Sequence, residues 1–206
     1  MISVEEAKNK IAGATRVLPP VQVNLMRAAG KILAEDVFAI SDVPSFPQSA
    51  MDGYAFSFDD WKAGGELKII GELQAGAETE LSIDNGEAAR VFTGAPLPAG
   101  ADTVVMQEKV TLSQSGILIE DDGLRKSNNV RPAGSEIKKG ELALEAGSLL
   151  TPAGVGLLAG IGVDSVSVYP DPKISLIITG KELQKPGNPL QYGQVYESNS
   201  FMLAGA

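Results

Sequence analysis

The twelve residues PSFPQSAMDGYA, Pro44 to Ala55, hold one carboxylate, Asp52, in a stretch where two prolines forbid ordinary helix. Asp52-Gly53 is a turn pair: the carboxylate accepts from nearby backbone N–H groups, and the glycine tolerates positive φ. That chemistry leaves two uses for Asp52. It holds Mg²⁺, directly or through water, beside a phosphorylated ligand, or it closes an Asx-turn on its own backbone. The flanking prolines, Ser49 and Met51 add weight to the first use.

Three further stretches carry oxygen donors in similar settings. In RVFTGAPLPAGADTVVMQE, Arg90 to Glu108, Gly94 lets the backbone approach a ligand, so Thr93 Oγ1 and the following amides suit an oxyanion. Asp102 and Glu108 bracket the next strand as further oxygen ligands. The plainer alternative is an inter-strand connection in which Thr93 caps a turn. In NVRPAGSEI, Asn129 to Ile137, Arg131 is a phosphate clamp and Glu136 a metal ligand, or the two form a solvated salt bridge of little weight. In TGKELQKPGNPL and YGQVYESNS, Thr179, Gly180 and Glu182 follow the end of an apolar run, and Ser198 and Asn199 stand at a helix start suited to an anion. The alternative there is an ordinary loop with a cap.

Two absences narrow the chemistry. The 206 residues include no cysteine and no histidine, which excludes disulfides, thiolate nucleophiles, thiolate zinc sites and the commonest general base. Carboxylates, hydroxyls, lysines, backbone amides or a hard oxygen-bound cation remain. A net charge of −9 argues against a nucleic acid or a membrane surface as partner. With no apolar run long enough to cross a bilayer and no secretory signal, a soluble cytoplasmic protein is expected.

The elements that must position these residues follow from periodicity and punctuation. Ser3 with Glu6 predicts a capped helix to Ala14, and Asn24 a short helix to Ala29 ended by Gly30. Ile32 to Ile40 reads as extended. From Trp61 to about Glu141 the period moves toward two, with short runs at Glu66–Leu73, Ala88–Thr93, Thr103–Val110 and Gly116–Glu120, predicting a small antiparallel sandwich or barrel. Thr151-Pro152 opens a helix through Ile161, and Asp164–Tyr169 is a strand. Ile174–Ile178 reads as a parallel strand buried on both faces. Residues alone lead to a carboxylate-rich, Mg²⁺-dependent phosphate or oxyanion site.

Together SAMDGYA, FTGAPLPAGAD followed by VVMQE, NVRPAG, and ITGKEL with GQVYESNS closely resemble the molybdopterin molybdenumtransferase family, of the MoeA and gephyrin E-domain type. The resemblance runs over nearly all of the chain and matches the family's N-terminal half. It implies a late step of molybdenum-cofactor synthesis: Mg²⁺-dependent insertion of molybdate into adenylylated molybdopterin with release of AMP. The pterin's sulfurs ligate molybdenum, which fits a chain without cysteine or histidine. By resemblance Asp52, Thr93 and Glu182 are catalytic, and Asp52, Glu136 and Glu182 hold metal. Ser49, Met51, Gly94, Arg131, Thr179, Gly180, Ser198 and Asn199 bind substrate. The chain departs from the family at Lys181, where an acid is usual, at Ser135-Glu136, and at Pro47, where an acidic residue before the loop is lost.

The implied fold is α+β and multidomain. Residues 1–38 and 140–171 form an elongated helix and strand linker domain I, and 39–139 a small antiparallel β domain II. Residues 172–206 are the first βα unit of a truncated α/β, MogA-like domain III. The chain is then expected to be a fragment, inactive alone, whose complete form is a homodimer with its site shared between subunits. Two other functions stand beside this one: a non-catalytic dimerisation or scaffold module of the same family, and an unrelated Mg²⁺-dependent phosphoanhydride hydrolase.

Overall fold

A computed structural model describes residues 2–62, 65–78 and 80–205. The chain divides into two compact units, one ending at Tyr169 and the other beginning at Pro170. Helix α1 (Val4–Ala14) opens at Ser3, whose Oγ accepts the Glu6 N–H at 3.1 Å, and it buries none of its residues. Strands β1 (Val21–Asn24), β2 (Ile32–Leu33) and β3 (Val37–Phe38) follow. The helix expected after Asn24 is a single 3₁₀ turn, Leu25–Arg27, capped as predicted by Asn24 Oδ1 on the Met26 N–H at 3.0 Å. Its backbone bonds reach back three residues, Ala28 to Leu25, so no α-helical ladder starts.

The middle of the chain supplies β4 (Gln48–Ser49), β5 (Gly53–Phe56), helix α2 (Phe58–Lys62), β6 (Lys68–Leu73), β7 (Glu87–Val91) and β8 (Thr103–Met106). Hairpin strands β9 (Val110–Leu112) and β10 (Ile117–Ile119) come next, then β11 (Val130–Arg131). Strand β12 (Leu142–Leu144), helix α3 (Pro152–Gly160) and β13 (Ser165–Tyr169) complete the first unit. Strand β13 lies antiparallel between β1 and β2. Their apolar face joins α3 in a core around Leu33, Leu150, Leu158, Ile161 and Val168. Thr151 caps α3 as its spacing predicts, accepting the Gly154 N–H at 3.1 Å, with Pro152 in the first turn.

The site is carried by a four-stranded sheet in the order β6-β7-β5-β8. Strand β5 is antiparallel to both neighbours, but β6 and β7 run parallel, so the sheet is mixed rather than wholly antiparallel. The long Gln74–Gly86 connection is what permits a parallel pair. All four residues of β5 are buried because the sheet is covered on both faces. Tyr54 and Phe56 join Leu67, Val105 and Ile117 on one face, and Ala55 joins Leu73, Val91 and Val104 on the other. Trp61 of α2 meets Phe56 and Phe58 edge to face, with ring centroids 5.9 Å and 5.5 Å away.

In the second unit, β14 (Leu183–Gln184) and β15 (Val195–Tyr196) pair in parallel ahead of helix α4 (Asn199–Gly205). The Ile174–Ile178 segment forms no strand, and Ile174 and Ile177 are 78% and 85% exposed, against the expectation of a buried parallel strand. A strand needs partners for its N–H and C=O groups, and no described strand pairs with this one. These elements do not amount to an α/β domain.

Candidate functional site

Main-chain hydrogen bonds bring the first three motifs together. The Ser49 N–H donates to the Ala95 carbonyl at 2.9 Å, and the Gly94 N–H donates back to Ser49 at 2.8 Å. The Ala50 N–H donates to the Asn129 carbonyl at 2.8 Å. Gly94 holds φ +82°, a conformation that suits glycine and turns the chain so that Thr93 faces the first loop.

The Asp52 carboxylate is anchored outside its own turn. Its Oδ1 accepts both the Thr93 N–H and the Thr93 Oγ1–H, each at 2.8 Å, across 41 residues of sequence. Its Oδ2 has no hydrogen bond among the described residues. The two bonds from Thr93, backbone first and side chain second, outweigh the opposing effect of desolvation. With help from the charge of Arg90, they hold the Asp52 carboxyl below its ordinary 3.8. Asp52 and Thr93 line an open depression of about 330 Å³ with Met51, Met106, Gln107 and Glu108. An ionised carboxylate with one oxygen anchored and one free can accept a hydrogen bond or ligate a hard cation there.

Gly53 is required for a different reason from the one its turn pairing suggests. Its φ is not positive; instead, a Cβ at this position would lie 1.9 Å from the Val105 carbonyl oxygen. Strand β5 therefore packs against β8 at a distance only glycine allows, and that contact seats Asp52 directly beside the start of the sheet. Ser49 is buried; its hydroxyl donates to the Met51 carbonyl at 2.6 Å, which shapes the loop and leaves nothing for a ligand.

Other expected residues have surroundings of their own. Asp102 belongs to the scaffold: its Oδ1 accepts the Phe58 N–H at 2.9 Å and the Thr103 hydroxyl at 2.7 Å, and its Oδ2 pairs with Lys126 at 3.1 Å. Burial works to raise its pKa, but the bonds from Thr103, Phe58 and Lys126 prevail and lower it. Arg131 and Glu136 pair with each other at 3.8 Å, both exposed, which is the solvated salt bridge of the plainer reading. In the second unit, Thr179, Gly180 and Glu182 are exposed, and Gly180 shares a depression of about 300 Å³ with Glu197 and Ser200. The start of α4 is already occupied by the chain's own carboxylate. Glu197 Oε1 accepts the Ser200 N–H at 2.7 Å, which takes the anion place expected beside Ser198 and Asn199. Bonds from the Ser200 side chain and backbone lower the Glu197 pKa. Among the described residues no three acidic side chains gather as a metal cage.

Two residues of the site escape motif reading, Arg90 and Gln107. The Arg90 guanidinium lies over the rings of Tyr54 and Phe92 and donates to Gln107 Oε1. Their signal is a cross-strand one: Arg90 stands opposite Tyr54 in the ladder, which local spacing does not reveal.

The profile of the MoeA N-terminal region, domains I and II, matches residues 2–162. This chain belongs to the MoeA family. It is 38% identical over 205 residues to the molybdopterin molybdenumtransferase of Haemophilus influenzae, covering 98% of this chain and 50% of that one. It is 36% identical over 211 residues to molybdopterin molybdenumtransferase 2 of Mycobacterium tuberculosis, covering 100% and 52%. A crystal structure of the molybdopterin biosynthesis MoeA protein from Pyrococcus horikoshii superposes with a TM-score of 0.85 at 32% identity, over 100% of this chain and 56% of that one. The chain thus spans about half the length of the curated relatives it matches. Its small sheets and few helices are those of the MoeA N-terminal domains.

Proposed function

We propose that this MoeA-family chain supplies one wall of a site that inserts molybdate into adenylylated molybdopterin, cleaving the phosphoanhydride and releasing AMP. The single observation that carries the reading is the Asp52–Thr93 pair at the rim of an open depression. A protein that handles a pyrophosphate needs positioned charge and little covalent chemistry, and the pterin's sulfurs, not the protein, take the metal. Molybdate and the pterin nucleotide are substrates. The family pattern further supports a homodimer as the active form, and a three-part division at 1–38 with 140–171, 39–139 and 172–206.

The donor set fits a magnesium ion held chiefly by substrate phosphates and water. Asp52 Oδ2 has no hydrogen bond among the described residues, Glu108 lines the same depression, and one or two carboxylates are the usual protein share for Mg²⁺. Bound there, the ion would neutralise charge on the phosphoanhydride oxygens. The chain's own contribution is orientation. Thr93 fixes Asp52 through Oδ1, so the carboxylate cannot rotate away, and stays ionised at neutral pH. In a protein of full family length, Asp52→Asn is expected to fold normally and lose molybdate insertion by roughly 100-fold or more. Wild-type insertion by that variant would remove Asp52 from the mechanism.

A further inference from the structure

Arg90 stands among acids and pairs with none of them among the described residues. Opposite it in the sheet register lie Glu72 on β6 and Tyr54 on β5, and its charge reaches Asp52. Glu72 instead accepts from Gln74 Nε2 at 2.9 Å. The half-buried guanidinium is held 5.0 Å from the Tyr54 ring centroid and 5.2 Å from that of Phe92, and its Nη2 donates to Gln107 Oε1. Because Gln107 Oε1 faces the cation, its Nε2 is turned outward, and it donates to Glu108 Oε1 at 3.0 Å. The Gln107 backbone N–H donates to the Asp52 carbonyl at 3.1 Å.

We infer that Arg90 and Gln107 are positioning residues for the two carboxylates of the depression. Arg90, held against two rings, sets the flip of the Gln107 amide. Gln107 then holds Asp52 by its main chain and Glu108 by its side chain, at a fixed spacing across one opening. Each residue type is needed. A lysine keeps the charge but lacks the planar fork that stacks and donates in a set direction. A glutamate at 107 would accept from Arg90 and repel Glu108; a leucine would do neither job. This inference rests on the reading of the depression as the pyrophosphate-handling site.

The test uses a protein of full family length with magnesium pyrophosphate as probe, followed by NMR of side-chain carboxyls and of the Gln107 amide. The titratable groups facing Arg90 are Asp52, Tyr54 and Glu72, that facing Gln107 is Glu108, and all are followed together. Arg90→Lys and Gln107→Leu are each expected to move the Glu108 carboxyl signal and weaken probe affinity about 10- to 100-fold while the remaining sheet signals stay in place. Arg90→Lys is expected to shift the Gln107 amide as well. Unchanged Gln107 and Glu108 signals in Arg90→Lys, or moved signals with undiminished affinity, would overturn this inference alone. Failure of the wild-type protein of family length to bind the probe would overturn the reading of the depression and this inference with it.

Discussion

Two hydrogen bonds to one oxygen decide what Asp52 can do. Thr93→Val removes the hydroxyl donor and keeps the N–H, so the Asp52 titration, followed by carboxyl NMR, moves up toward its ordinary 3.8 without reaching it. Insertion by the same variant in a protein of family length falls about tenfold, measured as molybdate-dependent AMP release. Asp102 gives a pH signature of its own. Its folded pKa is depressed, so its contribution to stability is present above 3.8 and disappears as pH falls through the folded value. Asp102→Asn is therefore expected to melt lower than the wild type at pH 7, with the gap closing below pH 3.8; a gap constant with pH would refute this. At this scale the sequence made Asp52 and Thr93 legible, because prolines and glycines mark loops that present side chains. It left Asp102 open between a ligand and a plain connection, because its partner Phe58 lies 44 residues away, and it passed over Arg90, whose partners are set by strand register.

The sheet depends on close approaches that no side chain survives. Gly53→Ala would drive a methyl group into the Val105 carbonyl, and about 3 kcal/mol or more of destabilisation is expected by denaturant titration. Gly116 is the same device at the edge, where a Cβ would lie 2.0 Å from the Leu67 carbonyl oxygen. Thr151→Ala, by contrast, loses only a cap, and about 1 kcal/mol is expected. The Thr151-Pro152 start was legible because capping is local. The parallel pairing of β6 with β7 was not, since direction depends on how the Gln74–Gly86 connection crosses, a tertiary matter. Ile174–Ile178 misleads for a related reason: apolar composition describes what a strand would bury, and only a neighbouring strand makes it one.

Taken whole, the chain holds two units of unequal solidity. The first contains the buried clusters around Leu33, Phe56 and Val104, whereas no residue of the second among those described is buried. Amide hydrogen exchange is expected to show β5, β7 and β8 as the slowest elements and 183–196 among the fastest; comparable protection in both would contradict the division at Tyr169. Composition correctly set aside thiol and imidazole chemistry for the entire chain. It gave no access to how the strands partition into sheets, because that is decided by contacts far apart in sequence.

The chain has one tryptophan, and it lies edge-on to Phe56 and Phe58 beside the mixed sheet. Intrinsic emission excited at the indole band therefore watches that sheet, and the second unit carries no indole of its own. A denaturation curve read by fluorescence and one read by circular dichroism would then describe different portions of the polypeptide, and their divergence would need no folding intermediate to explain it.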